Sequence, residues 1–132
     1  MQWIADQVPG KKLAPAAGTM QRYRLQEWLT FIGTEIHKQF SPLFNPAMPE
    51  EAKVLFRQKI LERLAYVDRH LATHDYLLGD FTVADGYLYT VSRWAVALKL
   101  DLSGLDNVKA FMARMSARPA VQQALKAEGL PG

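Results

Sequence analysis

YLLGDFTVADGYLYTVSRWA, residues 76–95, decides the fold class of this 132-residue chain. Within it, Thr82-Val-Ala-Asp85 has the S/T-x-x-acid form of a capping box, in which threonine and aspartate side chains reciprocally satisfy backbone N–H groups at a helix start. The helix is therefore expected to begin at Val83. Ala84, Tyr87, Leu88, Val91, Trp94, Ala95 and Leu98 follow at spacings of 3, 1, 3, 3, 1 and 3, a broad apolar face that suits a central helix surrounded by others. This helix is expected to be the most buried. Thr82 and Asp85 read as a structural cap, worth about 1 kcal/mol, and not as site residues.

Upstream, Thr19 offers an N-cap, and Leu25, Leu29, Ile32, Ile36, Phe40 and Leu43 lie at spacings of 4, 3, 4, 4 and 3, one stripe of a long helix reaching about Phe44. Pro42, Pro46 and Pro49 end it, and Pro49 with Glu50 and Glu51 opens a second helix with acid in its first turn. Phe56, Ile60, Leu64, Val67 and Leu71 line that helix to about Thr73. Downstream, Ser103-Gly-Leu-Asp106 repeats the capping pattern ahead of Val108, Phe111, Met112 and Met115, in a helix ending near Ala117. Pro119 fits the first position of a short final helix over AVQQALKAE, and Gly129 fits its stop. Apolar residues recur at three and four and not at two, so the chain reads as all-α, a bundle of about five helices over residues 19–132. Met1 to Val8 gives barely two turns before Pro9-Gly10, too short to stand alone, and GKKLAPAAG, residues 10–18, has the composition of a linker.

Composition excludes several chemistries. With 49% hydrophobic and 22% charged residues the chain belongs to the globular class. It has no cysteine, hence no disulfide framework, thiolate metal cage or cysteine nucleophile of its own. The net charge is only +3, and the basic residues form no run longer than two, so a nucleic-acid partner is not expected. No apolar run approaches a membrane span and the first residues do not form a signal peptide, which makes the cytoplasm the simplest address and a membrane partner unexpected.

Three groups of residues carry possible chemistry. His70 and His74 have metal-ligand spacing, but Leu71 stands where a zinc-protease helix needs glutamate, and histidines in a last turn suit the helix dipole; no metal is expected. Glu27, Thr30, Thr34, His37 and Ser41 recur at 3, 4, 3 and 4, a polar ridge that suits either a polar ligand or solvent. Phe40, Phe44 and Trp94 form an aromatic set that by itself reads as core.

Three blocks in order, EWLTFIGTEIHKQFSPLF, YLLGDFTVADGYLYTVSRWA and FMARMSARPAVQQALKAEG, resemble the C-terminal helical domain of bacterial glutathione transferases, the beta class above all. The resemblance covers essentially the whole chain. It implies that residues 1–9 are the end of the last helix of a thioredoxin-like N-terminal domain that the chain otherwise lacks, 10–18 a linker and 19–132 the helical domain. It further implies conjugation of the glutathione thiol to hydrophobic electrophiles, or thiol-disulfide chemistry on glutathione, by a homodimer with glutathione as co-substrate and no other cofactor. The isolated chain is then expected to be essentially inactive.

His37 matches the family's catalytic histidine, which completes a site where a cysteine of the other domain sits near the glutathione sulfur. An imidazole beside a thiol favours the thiolate. Thr34 and Glu35 match glutathione-contacting positions, Glu35 reaching the γ-glutamyl ammonium of the partner subunit's glutathione, and Phe40, Phe44 and Trp94 match the hydrophobic-substrate site. Thr30 matches a glutathione-contacting position where relatives can carry asparagine, a shorter reach here. Gly86 departs too, leaving Phe81 without the usual apolar staple partner. Helical domains of this family also act as docking or dimerisation modules without catalysis, which is the alternative function.

Overall fold

A computed structural model describes residues 1–131. A short helix α1 (Gln2–Gln7) leads through a tight turn at Pro9–Lys11 into α2 (Met20–Phe31). A π-helical turn (Ile32–His37) joins α2 without a break to α3 (Lys38–Phe44); α4 (Glu50–Leu71), α5 (Val83–Ala97), α6 (Asp106–Ser116) and α7 (Pro119–Ala127) follow. No strand occurs among the described residues. The run from 20 to 44 is thus one rod, and with α4 to α7 it makes the five-helix bundle that the periodicity predicts.

The stripe Leu25, Ile32, Ile36, Phe40 and Leu43 is buried against Ile60, Leu64 and Val67 of α4 and Leu88 and Val91 of α5. Leu29 and Phe56 lie at the edge of the same core. Helix α5 is the central one: Ala84, Asp85, Leu88, Tyr89, Val91, Ser92 and Ala95 are all buried along it. Burial of side chains of this size contributes about 1.5–3 kcal/mol each.

Helix starts and stops follow sequence chemistry in most places. Arg22 N–H donates to Thr19 Oγ1 at 3.2 Å, as the N-cap reading requires. At Thr82 both halves of the capping box are present: Ala84 N–H donates to Thr82 Oγ1 at 3.3 Å, and Thr82 N–H donates to Asp85 Oδ2 at 2.7 Å. Asp85 also accepts from the Thr82 hydroxyl at 3.0 Å and from Leu77 N–H at 2.8 Å, so one carboxylate ties the 72–82 connection to α5. Burial pushes the Asp85 carboxyl above its ordinary value, against the pull of those donors. Gly129 adopts φ +66°, and Leu130 N–H closes back on Leu125 C=O at 2.9 Å, the left-handed stop expected after α7.

Two local expectations are corrected. Ser103 does not cap α6; the N-cap position is Leu105, with no side-chain bond of its own. The cap comes from α4 instead: Asp68 Oδ1 accepts from Val108 N–H at 2.9 Å, and Asp68 Oδ2 accepts from Asn107 Nδ2 at 2.9 Å. A carboxylate from another helix neutralises the same orphan N–H groups and the positive dipole end that a local serine would. Pro42 does not break the rod either, but sits inside the last turn of α3. The break is at Asn45, extended at φ −84° and ψ 114°, where the following Pro46 disfavours helical backbone. Phe81, lacking a staple partner at Gly86, packs edge-on against Tyr76 at 5.8 Å, with the Arg118 guanidinium 3.7 Å above its ring.

The N-terminal segment is clamped by one buried charge. Arg22 donates from Nε to Pro15 C=O at 2.7 Å and from Nη1 to Gln2 Oε1 at 3.3 Å, and its Nη2 pairs with Asp6. Val83, the first residue of α5, donates its N–H to Leu13 C=O at 2.9 Å, so the 12–18 segment is tied to the bundle at both ends.

Asp85→Ala leaves the Leu77 and Thr82 donors without their acceptor and is expected to cost about 3 kcal/mol, whereas Asp68→Ala, a lost cap, costs about 1 kcal/mol. Urea unfolding of the two variants checks both the sizes and their order. The Arg22 hydrogen bond lowers the Asp6 pKa, so the stabilisation that Asp6 gives α1 is present above the ordinary carboxylate value of the unfolded chain. It is lost as pH falls through the lower folded value. Protection from hydrogen exchange at residues 2–7, taken relative to the intrinsic rate at each pH, should therefore fall on acidification ahead of protection in α5, and Asp6→Asn should abolish the difference.

Candidate functional site

His37 closes the π turn, where Lys38 N–H reaches back five residues to Gly33 C=O. Such a turn holds one more residue than α-helical geometry and rotates the residues after it, which is why π turns recur at functional sites. Of the ridge that spacing places together, Glu27, Thr30, Thr34 and Ser41 are exposed, while His37 is half-buried. The structure separates the histidine from the solvent-facing ridge and directs it toward α5.

There, His37 Nδ1 lies 2.6 Å from Tyr87 Oη. The imidazole meets the Trp94 ring edge-to-face at 4.8 Å and 77°, and the Tyr87 ring at 5.7 Å and 79°. Burial pushes the Tyr87 phenol above its ordinary value, so the hydroxyl keeps its proton at neutral pH. Gly33, one helical turn before His37, brings its backbone close to this pair: a Cβ built there stands 3.5 Å from Tyr87 Oη.

Trp94 also stacks edge-on against Phe40 at 5.5 Å and Phe44 at 5.6 Å. Phe40 is fully buried beneath the pair, whereas Phe44 is 54% exposed. The aromatic set therefore divides: Phe44 and half-buried Trp94 present surface next to His37, and Phe40 supports them from the core. On the outer side of the rod, Thr34 Oγ1 donates to Thr30 C=O at 3.0 Å, and Glu35 pairs with Arg63 Nε at 3.0 Å. Thr30 exposes its own hydroxyl next to that bond.

Neither of the two main cavities contains His37. One, of about 770 Å³, lies between α1, the 12–17 segment and Thr82, and another of about 280 Å³ between the end of α4 and α6. His70 and His74 stand apart from the site. Their rings stack at 4.3 Å, His70 Nε2 donates to Leu77 C=O at 2.9 Å and His74 Nδ1 donates to His70 C=O at 3.0 Å. They tie the end of α4 to the connection that follows, and no group of three potential metal ligands occurs among the described residues. No helix among the described residues is long and apolar enough to cross a membrane.

The family model for the glutathione S-transferase C-terminal domain matches residues 31–119, the span that holds the π turn, Tyr87 and Trp94. This chain belongs to that family. It is 49% identical over 131 residues to the glutathione S-transferase GstA of Escherichia coli O157:H7, covering 98% of this chain and 65% of the relative. Among solved structures, a sphingomonad glutathione S-transferase complexed with glutathione superposes with a TM-score of 0.93 at 44% identity, over 98% of this chain and 65% of that one. A beta-class glutathione S-transferase from Sphingomonas chungbukensis gives 0.93 at 41% identity, with the same coverages of 98% and 65%. This glutathione S-transferase C-terminal domain thus spans about 65% of the length of the relatives it matches, and the resemblance to the beta class holds.

Sequence reasoning did not find Tyr87 as a site residue. Its spacing makes it one more apolar position of α5, and only the position of His37 across the helix pair reveals its hydroxyl as a partner. Because a Cβ at Gly33 makes only ordinary contact, Gly33→Ala is expected to stabilise the rod by about 0.5–1 kcal/mol by the helix preference of alanine. A leucine there has no such room and should displace the Tyr87 ring, read as a loss of near-ultraviolet circular dichroism from the aromatic cluster.

Proposed function

We propose that this domain forms one wall of a glutathione-conjugating site whose other wall is a thioredoxin-like half, the arrangement its relatives' greater length suggests. The observation that carries the proposal is the placement of His37, held edge-on by Trp94 and bonded to Tyr87, beside the exposed ring of Phe44. A polar group that meets sulfur and an apolar surface that meets an electrophile stand side by side. Such a wall is a surface and not a cavity, in keeping with the absence of His37 from both main cavities.

In this reading, glutathione lies across the π turn with its sulfur near His37. The thiol gives up its proton, the thiolate attacks an electrophilic carbon, a C–S bond forms and the leaving group departs with its electron pair. His37 is the catalytic residue of this chain, stabilising negative charge on sulfur. Phe44 and Trp94 contact the hydrophobic part of the electrophile, and Phe40 holds them from below. Thr34, with Thr30 beside it, contacts glutathione through its hydroxyl. Glu35, now paired with Arg63, exchanges that partner for the γ-glutamyl ammonium of the glutathione bound by a partner subunit, an exchange of one cation for another at a half-exposed carboxylate. The working form is accordingly a homodimer.

Helix α1 and residues 10–18 read as the last helix of the thioredoxin-like half and its linker. Trp3 is 73% and Ile4 62% exposed on α1, an apolar face of the kind that packs on a sheet. Reduced glutathione is the co-substrate, so a reducing compartment, the cytoplasm, is the address.

With glutathione and a chromogenic electrophile, the isolated chain is expected to show only trace activity. Joined to a thioredoxin-like half, the same chain should turn over, and His37→Ala should lower kcat/KM by roughly 100- to 1,000-fold, the range of a lost charge-stabilising donor. Full activity in the isolated chain, or an unchanged rate in the variant at saturating glutathione, would sink the proposal.

A further inference from the structure

We infer that Tyr87 is the positioning residue that selects the tautomer of His37, so that the neutral imidazole presents an N–H and not a lone pair at Nε2. The inference rests on the reading of His37 as the group that faces the glutathione sulfur.

At 2.6 Å, one proton lies between Tyr87 Oη and His37 Nδ1, and it belongs to one or the other. A phenol is a strong donor with a single O–H, and a neutral imidazole carries one N–H and one lone pair. Were Nδ1 the donor, the phenolic proton would have to turn to solvent, because Tyr87 Oη has no other hydrogen-bond partner among the described residues. With the phenol as donor, the bond is made and the imidazole proton is left on Nε2. Nε2 itself has no partner among the described residues and remains available. Trp94 and Tyr87, both edge-on to the ring, oppose the rotation that would exchange the two nitrogens.

The chemical consequence is a division of labour. A neutral His37 with Nε2–H donates to a thiolate and cannot take the thiol proton, which passes to solvent. Tyr87 acts through its bond to His37.

The test begins with the chain labelled with nitrogen-15 and without glutathione. Long-range proton-nitrogen correlation spectra at a pH where His37 is neutral, its signals assigned by their loss in His37→Gln, report the tautomer directly. The Nε2–H form is expected to exceed the Nδ1–H form by about tenfold, the ratio a hydrogen bond of ordinary strength sets. Tyr87→Phe should lower that ratio several-fold while far-ultraviolet circular dichroism stays unchanged. A wild-type spectrum dominated by Nδ1–H overturns the inference, with or without a folded variant, and so does an unchanged ratio in a folded Tyr87→Phe. The second arm joins the chain to a thioredoxin-like half and follows the thiolate absorbance of bound glutathione. Tyr87→Phe should raise the apparent pKa of the thiol by about half a unit to one unit with little change in KM for glutathione. A tautomer shift without a thiol shift overturns the link to sulfur. The first arm needs no glutathione, so its failure is separate from any failure of the conjugation assay.

Discussion

The carboxylate of Asp85 is the constraint on which the rest of the bundle depends. It is wholly buried, and it accepts from Leu77 N–H, Thr82 N–H and the Thr82 hydroxyl. Taking an aspartate out of water is costly, and the raised pKa records that cost. The donors offset it only because each of them would otherwise be a buried, unpaired group as well. The result is an all-or-none junction: the start of α5 and the end of the 72–82 connection are either both in place or both lost. Helix α5 carries Tyr87 and Trp94, so the geometry around His37 inherits its precision from a group that takes no part in it.

What was legible in the sequence and what was not divides along one physical line, the range over which a pattern acts. The capping box at Thr82 and Asp85, the stripe from Leu25 to Leu43, and the stop at Gly129 each depend on residues within a few positions, and each appears where the spacing puts it. The cap of α6 does not, because Asp68 reaches it from a helix 40 residues earlier in the chain. A local serine at 103 looked sufficient, yet its N–H bonds Asp101 Oδ1 and its side chain leaves the helix start free. Long-range polar contacts of this kind leave no periodic trace.

The π turn was hidden for a related reason. The buried stripe runs from Leu25 through Ile36 to Leu43 across the π turn without leaving its face, so the spacing of apolar residues carries no sign of the wide turn. By spacing alone His37 continued the exposed ridge of Thr30 and Thr34, and the solvent-facing reading was as good as the ligand reading. His37, the last residue of that turn, is half-buried, and Tyr87 meets it from α5. The family resemblance singled out His37 without that geometry, but it said nothing about Tyr87. Of the other residues matched by resemblance, Thr30, Thr34, Glu35, Phe40 and Phe44 lie along the same rod and Trp94 on α5, so the candidate site was legible as a list and not as an arrangement.

The arrangement itself follows from matched spacing on two helices. His37 and Phe44 are seven residues apart on the rod, and Tyr87 and Trp94 are seven apart on α5. Seven residues are close to two full turns, so each pair lies on one face about 10.5 Å apart along its helix. Had the two helices met in simple register, His37 would touch only Tyr87 and Phe44 only Trp94. Instead Trp94 spans the gap and contacts His37, Phe40 and Phe44 together. An indole is large enough to do this and a phenyl ring is not, because its two fused rings present edges to neighbours on both sides. Trp94 therefore bridges His37 and the phenylalanine pair, with one indole in contact with all three rings. The imidazole is thereby held from two directions on α5, by the edge-on indole of Trp94 and by the hydrogen bond to the phenol of Tyr87.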